Sequence, residues 1–159
     1  MPRGKSIPKR KITPDPIYHS EILGKFINFL MERGKKATAE KIVYGAFDIV
    51  KEKQKEPPLK VFEMVVDIIR PTVEVRSHRV GGANYQVPMP VPASRQNALA
   101  FRWIIGAARA RKGCTMGEKL AAELLDVIAG TGGAIKKKED VVRMAEANKA
   151  FAHFARFKR

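Results

Sequence analysis

The stretch from Val73 to Val91, VEVRSHRVGGANYQVPMPV, limits most strongly what this chain can fold into. Two extended runs, at 73–80 and 85–91, flank the four residues from Gly81 to Asn84, whose types favour the reversal of a β-hairpin. The sequence therefore predicts a β-ribbon, closed by a four-residue turn, in a chain whose other segments repeat their apolar residues at helical spacing.

Three prolines determine how this ribbon can pair. Pro88, Pro90 and Pro92 occupy alternate positions of the second run. Because backbone N–H groups at alternate residues face the same side of a strand, the prolines remove donors from one edge and leave the other edge free. A lone two-stranded ribbon is marginally stable in water, so its base is expected to pack on other elements while its tip projects.

The composition indicates one domain and a reducing compartment. A chain of 159 residues can bury roughly 70% of its unfolded surface. The single Cys114 cannot form an internal disulfide, and no segment has the pattern of a signal peptide or a membrane span. We therefore expect a cytoplasmic-type protein.

The charge balance indicates the type of partner. The chain has 31 Lys and Arg residues against 16 Asp and Glu residues, a net charge of +15. Such an excess favours nucleic acid or an anionic membrane as the partner. Membrane binding would need a separate basic helix with a bulky apolar face, whereas the charge here is spread over several segments. We therefore expect a nucleic-acid partner and no membrane.

Apolar periodicity, caps and prolines predict six helices around the ribbon. The fold is expected to be mainly α: a bundle of about six helices with one protruding two-stranded β-hairpin and basic, flexible N- and C-terminal arms. The domain organisation is an arm at 1–14 and a single helical domain at 15–159, which includes the hairpin at 73–91 and a basic tail at 149–159, and the charge balance predicts that this domain binds nucleic acid. The predicted helices cover Glu21–Arg33, about Ala37 to Lys53, a run that Pro57 and Pro58 open and Pro71 closes, a run capped by Ser94 that ends near Lys112, a run from the capping box of Thr115 and Glu118 to Gly130, and a last helix that begins at Lys136–Lys138.

The fourth predicted helix carries Arg95, Arg102 and Arg109 at intervals of seven residues. Because each interval drifts by only about 20° around a helix, the three guanidinium groups are expected to share one narrow stripe. Ala98 and Gly106 border that stripe and would let a bulky partner approach the backbone. Between residues 70 and 112 the only acid is Glu74, so we expect ligand phosphates, and not local acids, to neutralise the stripe.

Three further basic segments suggest contacts with an anion. The lysines 136–138 stand at a predicted helix start, where their positive charge is repelled by the positive end of the helix dipole. An anion bound there would make the interaction favourable. Glu139 and Asp140 could also offset the charge of the lysines from within the chain. The arm at 1–14 contains no acid and has too little apolar content to order alone. The tail interleaves phenylalanines with cations, which can stack on bases, fill a pocket of another protein, or pack on this chain's own bundle.

No pattern of catalytic or metal-binding residues is present in the sequence. Cys114 has no histidine nearby, and His19, His78 and His153 lack metal-ligand spacing. The glycines at 130, 132 and 133 match neither a P-loop nor a dinucleotide fingerprint. The sequence therefore predicts a protein that is not an enzyme and has no metal or cofactor.

Several long strings resemble the small-subunit ribosomal protein seven family of the bacterial and organellar type. The match covers essentially everything from Asp15 to Phe154, and the strings that carry it are the stretch from the first to the second helix with Gly34-Lys35-Lys36, the ribbon, Arg102-Trp103, and GGAIKKKEDVVRMAEANKAFAH. The resemblance implies a primary binder of small-subunit ribosomal RNA that organises the head (3′ major) domain. It further implies a monomer within a cytoplasmic ribosome, with an organellar ribosome left open, and contacts with neighbouring proteins of head and platform.

The resemblance also implies a role for individual residues. Its hairpin would lie near the exit-site transfer RNA and the messenger RNA path, through His78, Arg79, Gly81, Gly82, Ala83, Asn84 and Tyr85. A neighbouring protein would contact the tail through Phe151, His153, Phe154, Arg156 and Phe157. The predicted ribosomal RNA contacts are Arg3, Lys9, Arg10, Lys11, Lys35, Lys36, Arg76, Arg79, Arg95, Arg102, Arg109, Arg111, Lys112, Lys136, Lys137 and Lys138.

Two other functions compete with this interpretation. An architectural DNA-binding protein could use the ribbon as a minor-groove arm, usually as a dimer whose two arms embrace the duplex. An RNA-processing enzyme would need a catalytic constellation that distant residues assemble in space.

Overall fold

The computed structural model describes residues 13–80 and 82–156. Within these residues the chain forms six α-helices, a two-stranded antiparallel hairpin and a C-terminal 3₁₀ helix, which confirms the predicted mainly α bundle with a β-hairpin. The elements are α1 (Glu21–Leu30), α2 (Lys36–Gln54), α3 (Pro58–Ile69), β1 (Val73–Val80), β2 (Ala83–Pro90), α4 (Ala93–Ala110), α5 (Met116–Ile128), α6 (Gly133–Ala147) and the 3₁₀ helix (Lys149–Arg156).

Local signals set several helix ends as predicted. The Ser20 hydroxyl accepts the Leu23 N–H at 3.4 Å and caps α1. Pro58 occupies the first position of α3, where its missing N–H costs nothing. At the start of α5, the Thr115 N–H donates to the Glu118 carboxylate at 3.3 Å within the predicted capping box.

Three predicted helix ends were wrong. Helix α1 ends at Leu30 and not at Arg33, because the chain leaves the helix at Met31 and turns through Arg33, where φ is positive. Helix α4 begins at Ala93, so Ser94 is not its cap; the Pro92 carbonyl accepts the first helical N–H groups. Helix α6 begins at Gly133, three residues before the lysines predicted to start it.

Aromatic side chains form the centre of the bundle. Phe26, Phe47, Phe62 and Phe101, one from each of the first four helices, are fully buried. The Phe62 ring centroid lies 5.0 Å from that of Phe26 and 5.9 Å from that of Phe47, and the Phe26–Phe101 distance is 5.4 Å. Offset and edge-on rings at these separations attract one another beyond their area burial. Helix α5 closes the core against α2.

The N-terminal boundary of the bundle is fixed by Asp15, which is 2% exposed. Its carboxylate accepts the N–H groups of Ile17 and Tyr18, at 3.1 and 2.9 Å, and the Tyr44 hydroxyl at 2.7 Å. Burial and the hydrogen bond to Asp15 raise the pKa of Tyr44 above its ordinary value. The predicted arm contacts Arg3, Lys9, Arg10 and Lys11 lie outside the described residues.

The ribbon is longer than predicted because its turn is shorter. Val80 pairs with Ala83, and Arg79 pairs with Asn84, so Ala83 and Asn84 belong to β2 and not to a four-residue turn. Gly82 has a φ of +92°, a conformation that glycine adopts without strain. The register pairs Pro88 with Val75 and Pro90 with Val73.

One face of the ribbon packs on the rest of the chain. Helix α6 contacts both strands, and the 3₁₀ helix contacts the second strand. A two-stranded ribbon needs such contacts because it has little stability alone. Val87 is 1% exposed and Tyr85 lies beside two rings of the 3₁₀ helix, at centroid distances of 5.1 Å for Phe151 and 5.4 Å for Phe154. Arg79 and Asn84 belong to the opposite face and are exposed.

A buried carboxylate positions α6. Glu123 of α5 is 1% exposed, and its Oε1 accepts the Ala134 N–H at 2.9 Å, at the N-terminus of α6. A Cβ on Gly132 would lie 2.7 Å from Val127 Cγ2 and 3.0 Å from Glu123 Oε1, so only glycine lets the loop approach this closely. A negative charge is favourable at the positive end of a helix dipole. Glu123 thus occupies the position for which the lysines suggested an external anion.

We predict that Glu123→Ala lowers the free energy of unfolding by about 3 kcal/mol, because it removes a buried ion-pair partner and leaves the Ala134 N–H without an acceptor. Urea denaturation of the purified protein measures this. Glu139→Ala, an exposed acid on α6, is the control and should change stability by less than about 0.5 kcal/mol. Equal effects of the two variants would contradict the role assigned to Glu123.

Candidate nucleic-acid interface

The arginine stripe exists on α4, but two of its three members have acidic partners. Arg95 Nε lies 2.7 Å from Glu74 Oε2, and Arg109 Nη2 lies 2.7 Å from Glu32 Oε1. The prediction that local acids do not neutralise the stripe was therefore wrong for Arg95 and Arg109. Counting acids between residues 70 and 112 missed Glu32, which comes from the turn after α1.

Arg102 is different. It is exposed, and its guanidinium carbon lies 5.7 Å from the centre of the Phe29 ring, a cation–π contact. Among the residues that the structure describes, it is the one member of the stripe that forms no ion pair with an acid. The charge of Arg102 is therefore available to an external anion.

Arg111 is held by acids of its own chain. Its Nε and Nη2 donate to Glu123 Oε2 at 3.0 and 2.7 Å, and Nη2 also donates to Asp126. These hydrogen bonds, to Asp126 and then to Glu123, raise the pKa of Arg111. The sequence placed Arg111 among the RNA contacts, whereas the structure uses it to join the end of α4 to α5. It is left out of the proposed interface for that reason.

The three lysines of α6 take two roles. Lys138 Nζ lies 2.5 Å from the Ile68 carbonyl oxygen, so it caps the C-terminal end of α3. Lys136 and Lys137 are exposed, and neither has an acidic partner in the described part of the chain. These two lysines remain candidates for contacts with phosphate.

An open groove of about 550 Å³ lies between α4 and α6. Arg102 and Lys137 contribute cationic side chains to it, one from each helix. Its lining is mainly apolar and includes the half-buried Trp103. Arg111 and Glu123 also line the groove. The remaining lining residues are small: Gly106, Ala107, Ala110 and Gly133. The structure thus brings the predicted seam of α4 together with the lysine segment of α6.

Other predicted contacts lie away from this groove. Lys35 precedes α2 and is exposed, and Lys36 Nζ lies 3.7 Å from Glu40 on the next turn. A solvent-exposed pair of this kind contributes little to stability and leaves the lysine accessible. Lys112 is exposed at the corner between α4 and α5.

The basic residues of the ribbon divide between its two faces. Arg76 pairs with Glu74, which is 7% exposed and also binds Arg95. His78 is partly buried on the same face, opposite Tyr85. Arg79 is exposed on the other face without an acidic partner among the described residues. Because side chains alternate along the strand, Arg79 is the one of these three basic residues that lies on the exposed face. Gly81 lies outside the described residues.

Phe151 and Phe154 of the tail pack on their own chain, which is one of the three alternatives for the tail phenylalanines. Phe151 and Phe154 contact Tyr85 of the ribbon, as described above. His153 is exposed, its ring centroid 4.0 Å from that of Phe154 and its Nδ1 2.8 Å from the Ala150 carbonyl oxygen. Arg156 ends the 3₁₀ helix, and Phe157 lies outside the described residues.

Among the described residues, no cluster of three or more His, Cys, Asp or Glu side chains could hold a metal ion. No described helix is long and apolar enough to cross a membrane. Cys114 is exposed.

A helical bundle with unpaired cations around an open groove, and with a proline-edged ribbon, defines a protein that binds polyanions. Comparison with known proteins identifies the family. The chain belongs to the family described as Ribosomal protein S7p/S5e, whose sequence model matches residues 2–149. This finding confirms the resemblance drawn from the sequence, and a family of ribosomal structural proteins agrees with the predicted non-enzymatic role.

Bacterial relatives match over nearly their whole length. The chain is 56% identical to the small ribosomal subunit protein uS7 of Pelotomaculum thermopropionicum and 58% identical to that of Idiomarina loihiensis. It is 55% identical to the protein of the same name from Nitrosospira multiformis. Each match extends over 154 residues, which is 97% of this chain and 99% of the relative.

We predict that Arg95→Ala destabilises the protein by about 1 to 2 kcal/mol, because it removes a charged hydrogen-bond partner of the buried Glu74. Arg102→Ala should change the free energy of unfolding by less than about 0.5 kcal/mol, since its guanidinium binds no acid. Chemical denaturation of both variants separates the structural arginine from the free one, and the reverse order of effects would contradict this division.

Proposed function

We propose that this chain is a structural constituent of the small subunit of the cytoplasmic ribosome, where it binds ribosomal RNA through the α4–α6 groove and the free cations around it. The observation that carries the proposal is the pairing of Arg102 and Lys137, two cations without acidic partners among the described residues, across one open groove. The family to which the chain belongs supports the same function.

The binding energy would come mainly from phosphates. Cationic side chains that contact phosphate release counterions, so for six to ten contacts the affinity would fall by roughly 10³ to 10⁵ between 50 and 200 mM salt. Cations already compensated by acids, such as Arg95 and Arg109, add less to this attraction than free ones. The free cations proposed to dominate it are Lys35, Arg79, Arg102, Lys112, Lys136 and Lys137.

Selectivity would come from RNA shape. A-form helices hide their base edges in a deep major groove, so a protein recognises folded RNA through its backbone geometry and its unpaired segments. We place the chain at the junctions of the head domain, as a monomeric primary binder that begins assembly there. The exposed face of the ribbon tip, with Arg79 and Asn84, would lie near the exit-site transfer RNA and the messenger RNA path.

The tail is proposed to touch a neighbouring protein of the platform through a smaller set of residues than the sequence suggested. Phe151 and Phe154 already contact Tyr85, which leaves the exposed His153 as the described side chain best placed for a neighbour. Because Tyr85 belongs to the third residue pair from the turn, a contact of the tail with a neighbour would also act on the outer half of the ribbon.

We predict that Arg102→Glu lowers the affinity for a head-domain ribosomal RNA fragment by about tenfold or more, because it replaces a phosphate contact with a repulsion. The thermal midpoint of the free protein should hardly change. Arg143→Glu is the matched control: Arg143 is exposed on α6 outside the groove, and its replacement alters net charge equally. Filter binding at several salt concentrations measures both variants.

Two outcomes of that experiment would contradict the proposal. If Arg143→Glu weakens binding as much as Arg102→Glu, the groove is not the interface and net charge alone explains the effect. If the wild-type protein binds a random DNA duplex as tightly as the RNA at matched salt, the architectural DNA-binding function is the better explanation.

A shortened ribbon tests the role of the tip. Removing Arg79, Val80, Ala83 and Asn84 deletes two residue pairs, and the same glycine turn would then join His78 to Tyr85, with the face alternation preserved. We expect ribosomal RNA binding to persist and occupancy of the exit site by transfer RNA, measured on reconstituted subunits, to change. Loss of ribosomal RNA binding would show that the tip belongs to the primary anchor.

A further inference from the structure

We propose that the α4–α6 groove receives one unpaired nucleotide of the bound RNA, with the base against the groove lining and the flanking phosphates at Arg102 and Lys137. This inference rests on the proposed function and specifies which part of an RNA enters the groove. It can fail while ribosomal RNA binding itself stands.

The shape of the groove favours a single nucleotide over a helix. Its volume of about 550 Å³ falls in the range of pockets that hold small molecules. A duplex presents a wall of phosphates with its bases stacked inside, so it can touch only the rim of such a groove. A nucleotide turned out of a loop or bulge can enter.

The lining has the chemistry of a base-binding surface and not of a phosphate site. Most of its surface is apolar, and burying a phosphate against it would remove water without replacing the lost hydrogen bonds. A base has two apolar faces, and Trp103 contributes an aromatic surface of the kind on which bases stack.

Packing within the chain does not require glycine at position 106. Gly106 lies inside α4, where glycine is less favourable than alanine by roughly 0.5–1 kcal/mol. A Cβ at this position would meet no atom within 4 Å, so packing within the chain does not exclude a side chain. The open space above Gly106 is part of the groove, so a ligand there can approach the α4 backbone closely.

The charges at the groove favour a polyanion as its ligand. Arg102 stands on α4 and Lys137 on α6, so the rim is cationic on both sides, and neither is compensated by an acid among the described residues. Successive phosphates of one strand flank every nucleotide, which matches a base site between two cations. A neutral or cationic peptide would meet these charges without compensation.

The single tryptophan of the chain, Trp103, reports directly on the groove. We expect a short RNA hairpin with one unpaired nucleotide in its stem to quench the Trp103 fluorescence as it binds. A fully paired hairpin of equal length should bind about tenfold more weakly, a difference of about 1.4 kcal/mol, and should leave the fluorescence nearly unchanged. Anisotropy of end-labelled RNA gives the two affinities independently of the quenching.

Two leucine variants form a matched pair. Gly106→Leu places a side chain in the groove, whereas Gly45→Leu makes the same change inside α2, where a Cβ also meets no atom within 4 Å. Both should fold at least as stably as the wild type, because leucine is a better helix former than glycine. Only Gly106→Leu should lose the quenching and the roughly tenfold preference for the unpaired nucleotide.

The results separate this inference from the proposed function. Equal affinity of the wild type for the two hairpins, without quenching by either, would overturn the nucleotide site. Gly106→Leu binding that weakens equally for both RNAs would also overturn it, because the groove would then hold a duplex backbone, and the proposed function would stand. Failure of the wild type to bind the head-domain RNA fragment at all would instead overturn the proposed function.

Discussion

One buried carboxylate holds together the part of the molecule that carries the candidate site. Glu123 accepts the N-terminal N–H of α6 with one oxygen and the guanidinium of Arg111 with the other. It therefore joins α5, the end of α4 and the start of α6 at one point. Both walls of the groove belong to the helices that it joins, so the spacing of Arg102 and Lys137 depends on it. In a chain of net charge +15, this acid also offsets the lysines that follow on α6.

The cations of the chain divide into those that build the fold and those that are left over. Arg95, Arg109 and Arg111 bind acids across element boundaries, and Lys138 caps α3. These contacts join residues that are distant in sequence, and each acidic partner offsets the charge of its arginine. Among the described residues, the cations without an acidic partner include Arg102 and Lys137 at the groove and Arg79 on the exposed face of the ribbon, and others lie on α2 and α3, such as Lys41 and Lys60. The number of basic residues therefore overstates how many cations are available to RNA, because some of them are paired with acids of the same chain.

Local signals allowed most of the fold to be predicted from the sequence. Helical periodicity, the cap at Ser20, the capping box at Thr115 and the prolines act over a few residues and are visible in one string. The contacts that were missed join residues distant in sequence, such as Glu32 with Arg109, or depend on a glycine loop, such as Glu123 with Ala134. Hydrophobic patterns carry no information about which acid a given arginine will meet, so the groove itself could not be predicted.

Helix α6 links the groove to the ribbon. It carries Lys137 at the groove and contacts both strands further along, while the 3₁₀ helix that follows it packs Phe151 and Phe154 on Tyr85. A ribbon of two strands has little stability of its own, so these contacts, and not its internal hydrogen bonds, determine where its tip lies. An RNA that fixes α6 through the groove would for that reason also fix the direction of the ribbon. The two ends of the molecule thus share one rigid element, and the arrangement of the RNA at one end sets the position of Arg79 at the other.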